Sequence, residues 1–109
     1  MRQGLSSQYD HIASVAVGTK NNNVNSNSNC YRTGNVVVCN IRYDLTTNIS
    51  LYTGLPTSVG TAWAKITNGN SAVGTIQMNA NGKTLNYTNE VGSSNAAKTG
   101  QLVYITNDP

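Results

Sequence analysis

Residues 30–43, CYRTGNVVVCNIRY, contain the clearest fold signal in the chain. Two runs rich in β-branched and aromatic residues flank Gly34-Asn35, a pair that favours a two-residue turn between antiparallel strands. Counting outward from this turn sets Cys30 opposite Cys39. The stretch therefore predicts a β-hairpin with a defined register.

The second strand of this hairpin is apolar on both faces near the turn. Alternate residues from Val37 to Tyr43 form one apolar face, and Val36 and Val38 begin the opposite one. A sheet with one face in water needs only one apolar face. A second sheet could cover one face, so Val36 and Val38 are predicted to lie at a contact between subunits.

The two cysteines occupy a non-hydrogen-bonded pair in this register, where Cα atoms lie about 4.5 Å apart. That spacing is compatible with a disulfide between Cys30 and Cys39, near the short end of usual bridge geometry. The alternative is two reduced cysteines that pack as small hydrophobic side chains. A reducing cytosol favours the thiols, and both states stay open at this point.

Further short alternating runs, separated by Gly, Asn and Pro, indicate additional strands. The predicted strands span residues 12–17, 48–53, 60–66 and 101–106, and Asn81-Gly82 predicts a second hairpin that pairs Met78 with Leu85 and Ile76 with Tyr87. Residues 21–29 are predicted to form a loop or a loose edge strand, and residues 91–100 a loop. The expected fold is an all-β, antiparallel β-sandwich or jelly roll of seven to eight short strands, with no helix longer than about two turns.

The length of 109 residues fits a single domain. Residues 1–28 are predicted to supply an N-terminal strand and the Asn/Ser-rich loop, and residues 29–109 the remainder of the same domain. Charged residues make up 10% of the chain, against roughly 25% in an ordinary domain. Asn, Ser and Thr take their place, as expected for a surface that meets sugars or another copy of the same protein.

The charge pattern argues against nucleic acid as a partner. The net charge is +3, but no two of the seven basic residues are adjacent, whereas phosphate binding needs clustered cations. No stretch approaches the ~20 apolar residues of a membrane span. The N-terminus has no apolar run typical of a signal peptide, so neither membrane insertion nor a cleaved signal is expected if Met1 is the native start.

Catalytic and metal chemistry lack the residues that they need. The four acidic residues stand singly, whereas glycoside hydrolysis needs two carboxylates about 5–10 Å apart. His11 is the single histidine, and with Cys30 and Cys39 it does not complete a tetrahedral metal site. The sequence therefore predicts a non-enzymatic protein without metal or cofactor.

The string from Tyr31 to Val38 resembles the strand-turn-strand opening of tail-fibre and receptor-binding head domains of bacteriophages and prophages. Their typical continuation is matched in order by residues 39–43, 46–52, Leu55-Pro56, Gly74-Thr75-Ile76, Asn81-Gly82 and Val103-Tyr104-Ile105. The resemblance covers roughly residues 28–107. It departs after Leu55-Pro56, where Thr57-Ser58-Val59 lacks the basic, second-proline continuation common in the family.

This resemblance implies a compact β-sandwich at the distal end of a tail fibre, assembled as a homotrimer. The implied location is the virion tail, formed in the bacterial cytoplasm and acting outside the cell on a host-surface receptor, often a glycan. Two alternatives stay open. One is a monomeric carbohydrate-binding accessory module of a secreted bacterial enzyme or adhesin, and the other is a purely structural trimerising cap of a tail fibre.

Aromatic side chains are the candidate glycan contacts, because flat rings suit the apolar faces of sugars while nearby amides hold hydroxyls. Tyr43 and Tyr87 fall on apolar faces and are predicted to be core residues. Tyr52 precedes a Gly-Leu-Pro turn and is expected to be exposed, and the side of Trp63 is undetermined. The predicted ligand contacts are Tyr52, Trp63 and, from the loop before the last strand, Asn95.

Overall fold

A computed structural model describes residues 13–69, 71–90 and 95–109. Within these ranges the chain forms nine strands and no helix. The strands are β1 (Val15–Ala16), β2 (Thr19–Lys20), β3 (Asn29–Thr33), β4 (Val36–Tyr43), β5 (Ile49–Thr53), β6 (Ala62–Asn68), β7 (Ser71–Met78), β8 (Leu85–Asn89) and β9 (Lys98–Ile105). All strand pairs are antiparallel, so the predicted all-β, antiparallel class is confirmed.

The strands form one curled sheet in the order β1-β3-β4-β9-β6-β7-β8-β5-β2. β1 and β2 stand at opposite ends of this order, yet only Val17 and Gly18 separate them in sequence. The sheet must therefore curl until its two ends meet at this segment. Gly18 has a φ of 77° there, and a Cβ would approach the side chain of Leu55 to 2.6 Å, so the bend requires glycine.

The inner face of the curled sheet holds the hydrophobic core. Side chains alternate along each strand, and on β4 every second residue from Val37 to Tyr43 is buried. The other strands contribute Cys30, Leu51, Tyr52, Ile66, Ile76, Met78, Leu85, Tyr87, Leu102 and Tyr104. Tyr43 and Tyr87 pack edge to face with ring centroids 4.7 Å apart, which confirms them as core residues.

The hairpin of β3 and β4 has the predicted register. Cys30 lies opposite Cys39 with a Cα–Cα distance of 4.1 Å, and their Sγ atoms are joined in a buried disulfide. Gly34 has a φ of 59° at the first turn position, as a type II′ turn requires. This part of the fold follows from local sequence alone.

The hairpin of β7 and β8 keeps the predicted pairing of Met78 with Leu85 but has a wider connection. The expected two-residue turn is replaced by a six-residue loop, residues 79–84, in which the Gly82 N donates to the Asn79 O at 2.9 Å and the backbone also bonds to another segment. The Asn81 N donates to the Ser58 O at 2.8 Å, and the Ser58 N donates to the Gly82 O at 3.0 Å. The tight turn thus lies over residues 79–82 instead of centring on Asn81-Gly82, and tertiary hydrogen bonds fix it against Ser58.

The Asn/Ser-rich tract, residues 21–29, forms two successive turns of the same design. The side chains of Asn21 and Asn25 each accept a hydrogen bond from the backbone N two residues further on, at 2.9 Å. Each turn is closed by a backbone bond from its fourth residue, Val24 or Ser28, and both of these residues are buried. The tract is therefore fixed to the body of the domain.

The first and last predicted strands have shifted boundaries. Part of the predicted first strand, Ile12, lies outside the described residues, and so do residues 91–94 of the predicted loop. The last strand begins at Lys98, three residues before its predicted start, because Lys98 pairs with Tyr43. Gly100 within it lies close to the backbone of Ile66, a close approach that explains a glycine inside a strand.

Candidate functional site

The outer face of β4 and β9 changes from polar to apolar along its length. The outward pairs are Arg42 with Thr99, Asn40 with Gln101, Val38 with Val103 and Val36 with Ile105. The first two pairs form a polar half and the last two an apolar half. Because both halves face away from the core, they are available for contacts outside the chain.

Three primary amides connect three neighbouring strands in the polar half. The Gln101 Nε2 donates to the Asn40 Oδ1 at 2.8 Å, and the Asn40 Nδ2 donates to the Asn29 Oδ1 at 3.0 Å. We call Asn29, Asn40 and Gln101 the amide ladder. A primary amide has two N–H donors and one carbonyl, so the two ladder bonds leave both N–H groups of Asn29, one N–H on Asn40, one N–H on Gln101 and the Gln101 carbonyl for solvent or a ligand.

A groove of about 460 Å³ lies over the polar half. It is lined by Asn27, Asn40, Ile41, Arg42, Thr99, Gly100 and Gln101. The Arg42 Nε lies 3.2 Å from the Asp44 Oδ1, and the Arg42 Nη2 donates to the Asp44 Oδ2 at 3.4 Å. The groove is therefore rich in hydrogen-bonding groups, and its one cation is paired with a carboxylate.

The apolar half extends into a larger exposed surface. The Val59 N donates to the Ile105 O at 2.9 Å, which sets Val59 beside the end of β9. The exposed fractions are 51% for Val59, 50% for Val103 and 48% for Ile105. We call Val36, Val38, Val59, Val103 and Ile105 the apolar patch. The two residues predicted as subunit contacts, Val36 and Val38, lie within it, and a covering subunit stays a prediction.

Trp63 points outward from β6 and is 63% exposed. Its cross-strand partner is Gln77, whose Nε2 donates to the Asn79 Oδ1 at 2.7 Å. β6 adjoins β9 in the sheet, and Thr67 of β6 pairs with Thr99, which lines the groove. The exposed indole thus lies on the outer face of the strand next to β9, four residues before Thr67.

Tyr52, predicted as an exposed ligand contact, is buried with 5% exposure. β5 has an irregular register between Ser50 and Tyr52, so that Leu51 and Tyr52 are buried in succession. A bulge of this kind breaks the alternation of a strand and redirects a side chain. Burial also raises the pKa of the Tyr52 phenol. The prediction of Tyr52 as a surface contact is therefore wrong.

The three predicted ligand contacts do not form one site. Trp63 is exposed on β6, Tyr52 is inside the core, and Asn95 is exposed three residues before β9. The prediction missed Asn40 and Gln101, whose outward positions on β4 and β9 were visible from alternation alone. Their adjacency was not, because it depends on the strand order.

Lys98 is fully buried at the beginning of β9. Its Nζ donates to the Ala96 O at 3.1 Å and lies 5.8 Å from the centroid of the Tyr43 ring. Burial lowers the pKa of this amine, and the nearby Asp44 carboxylate opposes that shift. A backbone carbonyl and an aromatic face thus accommodate the ammonium at the edge of the core.

The acidic residues of the described ranges each have a separate partner. Asp44 pairs with Arg42, Glu90 pairs with Lys65, and the Asp108 Oδ2 accepts a hydrogen bond from the Thr57 N at 2.8 Å. No group of three or more His, Cys, Asp or Glu gathers within these ranges. Asp10 and His11 lie outside them. The same part of the chain also contains no helix long and apolar enough to cross a membrane.

No family model, curated protein or solved structure matches the chain. The resemblance of residues 28–107 to tail-fibre head domains is therefore neither supported nor opposed by known proteins. Any function of the outer face has to follow from its own chemistry.

Proposed function

We propose that this chain is a non-enzymatic attachment module, the receptor-binding tip of a phage or prophage tail fibre that binds a host-surface glycan. The observation that carries the proposal is the position of Trp63. Its indole is 63% exposed on the outer face of β6 and is flanked by uncharged amide side chains. An indole can stack on the C–H face of a sugar, and its N–H and the neighbouring amides can bond hydroxyls.

The proposed assembly is a homotrimeric β-sandwich in the virion tail. The apolar patch supports self-association, because apolar side chains grouped on an outer face are typical of surfaces where proteins meet. Three equivalent sites at one tip would bind a repeating polymer by avidity, so that each site needs only modest affinity. The scarcity of charged residues, 10% of the chain, favours contacts through uncharged groups.

A second candidate function is a structural cap that trimerises the fibre and binds no glycan. The apolar patch favours it, since that surface accounts for assembly without any ligand. The third candidate, a carbohydrate-binding accessory module, would be monomeric and would leave the apolar patch without a role.

The test measures assembly and binding separately, by light scattering and by attachment of labelled protein to bacterial cells and their wall polysaccharide. The wild type is expected to be a trimer that binds, with little dependence on salt. Trp63→Ala is expected to remain a trimer and lose binding. Asn86→Ala, on the outer face of β8, serves as the control. A trimer that binds neither cells nor polysaccharide favours the cap, and a binding monomer favours the accessory module.

A further inference from the structure

The amide ladder and its groove identify where sugar hydroxyls would bind and which glycans fit. We propose that the groove over the polar half is a subsite for an uncharged, hydroxyl-rich sugar, and that one glycan chain extends from this groove to Trp63. This inference rests on the proposed attachment function and adds to it a second binding surface and a ligand class.

The spacing of the ladder suits a sugar ring. Neighbouring strands lie about 4.8 Å apart, so the three amides span roughly 10 Å across the sheet. Each amide retains an N–H donor and Gln101 also retains its carbonyl acceptor, which matches hydroxyl groups that donate and accept at once. The bonds from Gln101 to Asn40 and from Asn40 to Asn29 already hold the side chains in place. Less side-chain entropy is then lost when a ligand binds.

The charges around the groove favour an uncharged ligand. Arg42 is paired with Asp44, and the next cation along the face, Lys65, is paired with Glu90 and also donates to the Thr75 Oγ1. A sugar carboxylate or sulfate in the groove would lose its hydration, and the nearby cations are already paired with carboxylates of the chain. Neutral hydroxyls have no such cost, because the amides replace their bonds to water.

The path from the groove to Trp63 is short. In the sheet β6 lies next to β9, and Thr67 of β6 pairs with Thr99, which lines the groove. Trp63 lies on the same outer side of β6, four residues before Thr67 and about 13 Å along the strand, so a glycan of a few sugar units that begins in the groove can reach the indole. The ligand is therefore an oligosaccharide in which one unit is bonded through its hydroxyls and another is stacked.

The experiment uses the whole chain and a printed array of oligosaccharides. The neutral probes are oligomers of glucose, galactose and N-acetylglucosamine, and the anionic probes are polysialic acid and heparin, each at low and high salt. Gln101→Ala, Asn40→Ala and Trp63→Ala are compared with Asn86→Ala, an outward amide on β8 that accepts from the Ser50 Oγ at 3.1 Å. Thermal unfolding checks that each variant is folded.

The expected result is binding of a neutral oligomer by the wild type and the control. Each of the other three variants should lose about tenfold or more in affinity. Loss in Trp63→Ala alone would overturn the groove as a subsite and leave the attachment function standing. A preference for the anionic probes that high salt weakens would overturn the neutral ligand class. A wild type that binds bacterial cells but none of the neutral probes would overturn the groove's ligand class and leave the attachment function standing, whereas one that binds neither cells nor any probe would overturn both proposals.

A second measurement does not depend on the variants. In ¹⁵N spectra of the wild type, the side-chain amide signals of Asn40 and Gln101 should shift as the bound oligosaccharide is added, while that of Asn86 should stay in place. Unchanged ladder signals at saturation would overturn the groove.

Discussion

Tyr52 and Trp63 show how backbone register decides the role of an aromatic side chain. Tyr52 follows an irregular position in β5 and is buried beside Leu51. Trp63 keeps the alternation of β6 and stands in solvent between two half-buried alanines. Neither the burial of Tyr52 nor the exposure of Trp63 could be predicted from the sequence. A β-bulge has no clear sequence signature, and alanine is compatible with either face of a strand.

The two residues should therefore respond differently to truncation. Tyr52→Ala is expected to lower the free energy of unfolding by about 3–5 kcal/mol, because it leaves a cavity in the core. Trp63→Ala should change it by no more than about 0.5 kcal/mol, as for other surface positions. Urea denaturation followed by circular dichroism measures both. Equal losses in the two variants would contradict the assigned sides.

Tyr104 makes stability depend on alkaline pH. Its hydroxyl donates to the Pro56 O at 2.7 Å, and burial, together with the Asp108 carboxylate, raises its pKa from 10.0 to about 12. The folded chain thus keeps a proton that the unfolded chain loses above pH 10. The stability from this group is complete below that pH and falls as pH rises, by at most about 1.4 kcal/mol per pH unit.

Tyr104→Phe is expected to reduce this alkaline loss and to cost about 1 kcal/mol at neutral pH, through the lost hydrogen bond. Urea unfolding of both proteins across the alkaline range provides the measurement. The difference between them isolates Tyr104 from Tyr43 and Tyr52, whose raised pKa values act in the same direction, and from Lys98, whose lowered pKa acts in the opposite one. Parallel pH profiles would contradict the assignment.

At the scale of strands, the elements predicted correctly are those with local signals. The β3–β4 hairpin follows from its turn and its alternating residues, and its register was predictable residue by residue. The wider loop at Asn81-Gly82 was not, because its backbone bonds to Ser58, far away in sequence. The early start of β9 could not be predicted either, because it also depends on contacts distant in sequence. Lys98 and Gly100 are poor strand formers, and neighbouring strands hold them in place.

Gly74 on β7 tests how closely the strands pack on the core. A Cβ at Gly74 would lie 2.4 Å from the Cε1 of Tyr87, whose ring is held against Tyr43. Gly74→Ala is therefore expected to lose about 1–3 kcal/mol of stability through overpacking. Gly60→Ala is the matched control, because a Cβ there meets nothing within 4 Å, and it should be nearly neutral. Similar effects of both changes on the thermal midpoint would contradict this packing.

At the scale of the whole molecule, the strand order creates the candidate site. Asn29, Asn40 and Gln101 come from three strands, of which β4 and β9 are distant in sequence but neighbours in the sheet. Alternation in the sequence predicts that each of these side chains points outward, but it does not predict that their three strands are adjacent in the sheet. Val36 and Val38 could be predicted as an outer apolar surface because their hairpin is local. That Val103 and Ile105 extend this apolar surface could be known only from the pairing of β4 with β9 in the structure.

Val38→Lys tests the proposed assembly. If the apolar patch is the contact between copies, a buried unpaired charge there should dissociate the trimer into folded monomers. Light scattering at micromolar concentration measures the mass. Thr88→Lys, an exposed position on β8, adds the same charge elsewhere and should leave the trimer intact. A wild type that is already monomeric, or a Val38→Lys protein that is still trimeric, would contradict the proposed contact.

β1 and β2, the end strands of the curled sheet, are only two residues long and belong to one bent segment. A long, flat edge strand offers its unpaired backbone groups as a template on which another chain can add, and repeated addition produces cross-β fibrils. The described part of this chain offers no such template. Even at high local concentration, neighbouring copies should therefore meet through side chains on their outer faces and not polymerise through their backbones.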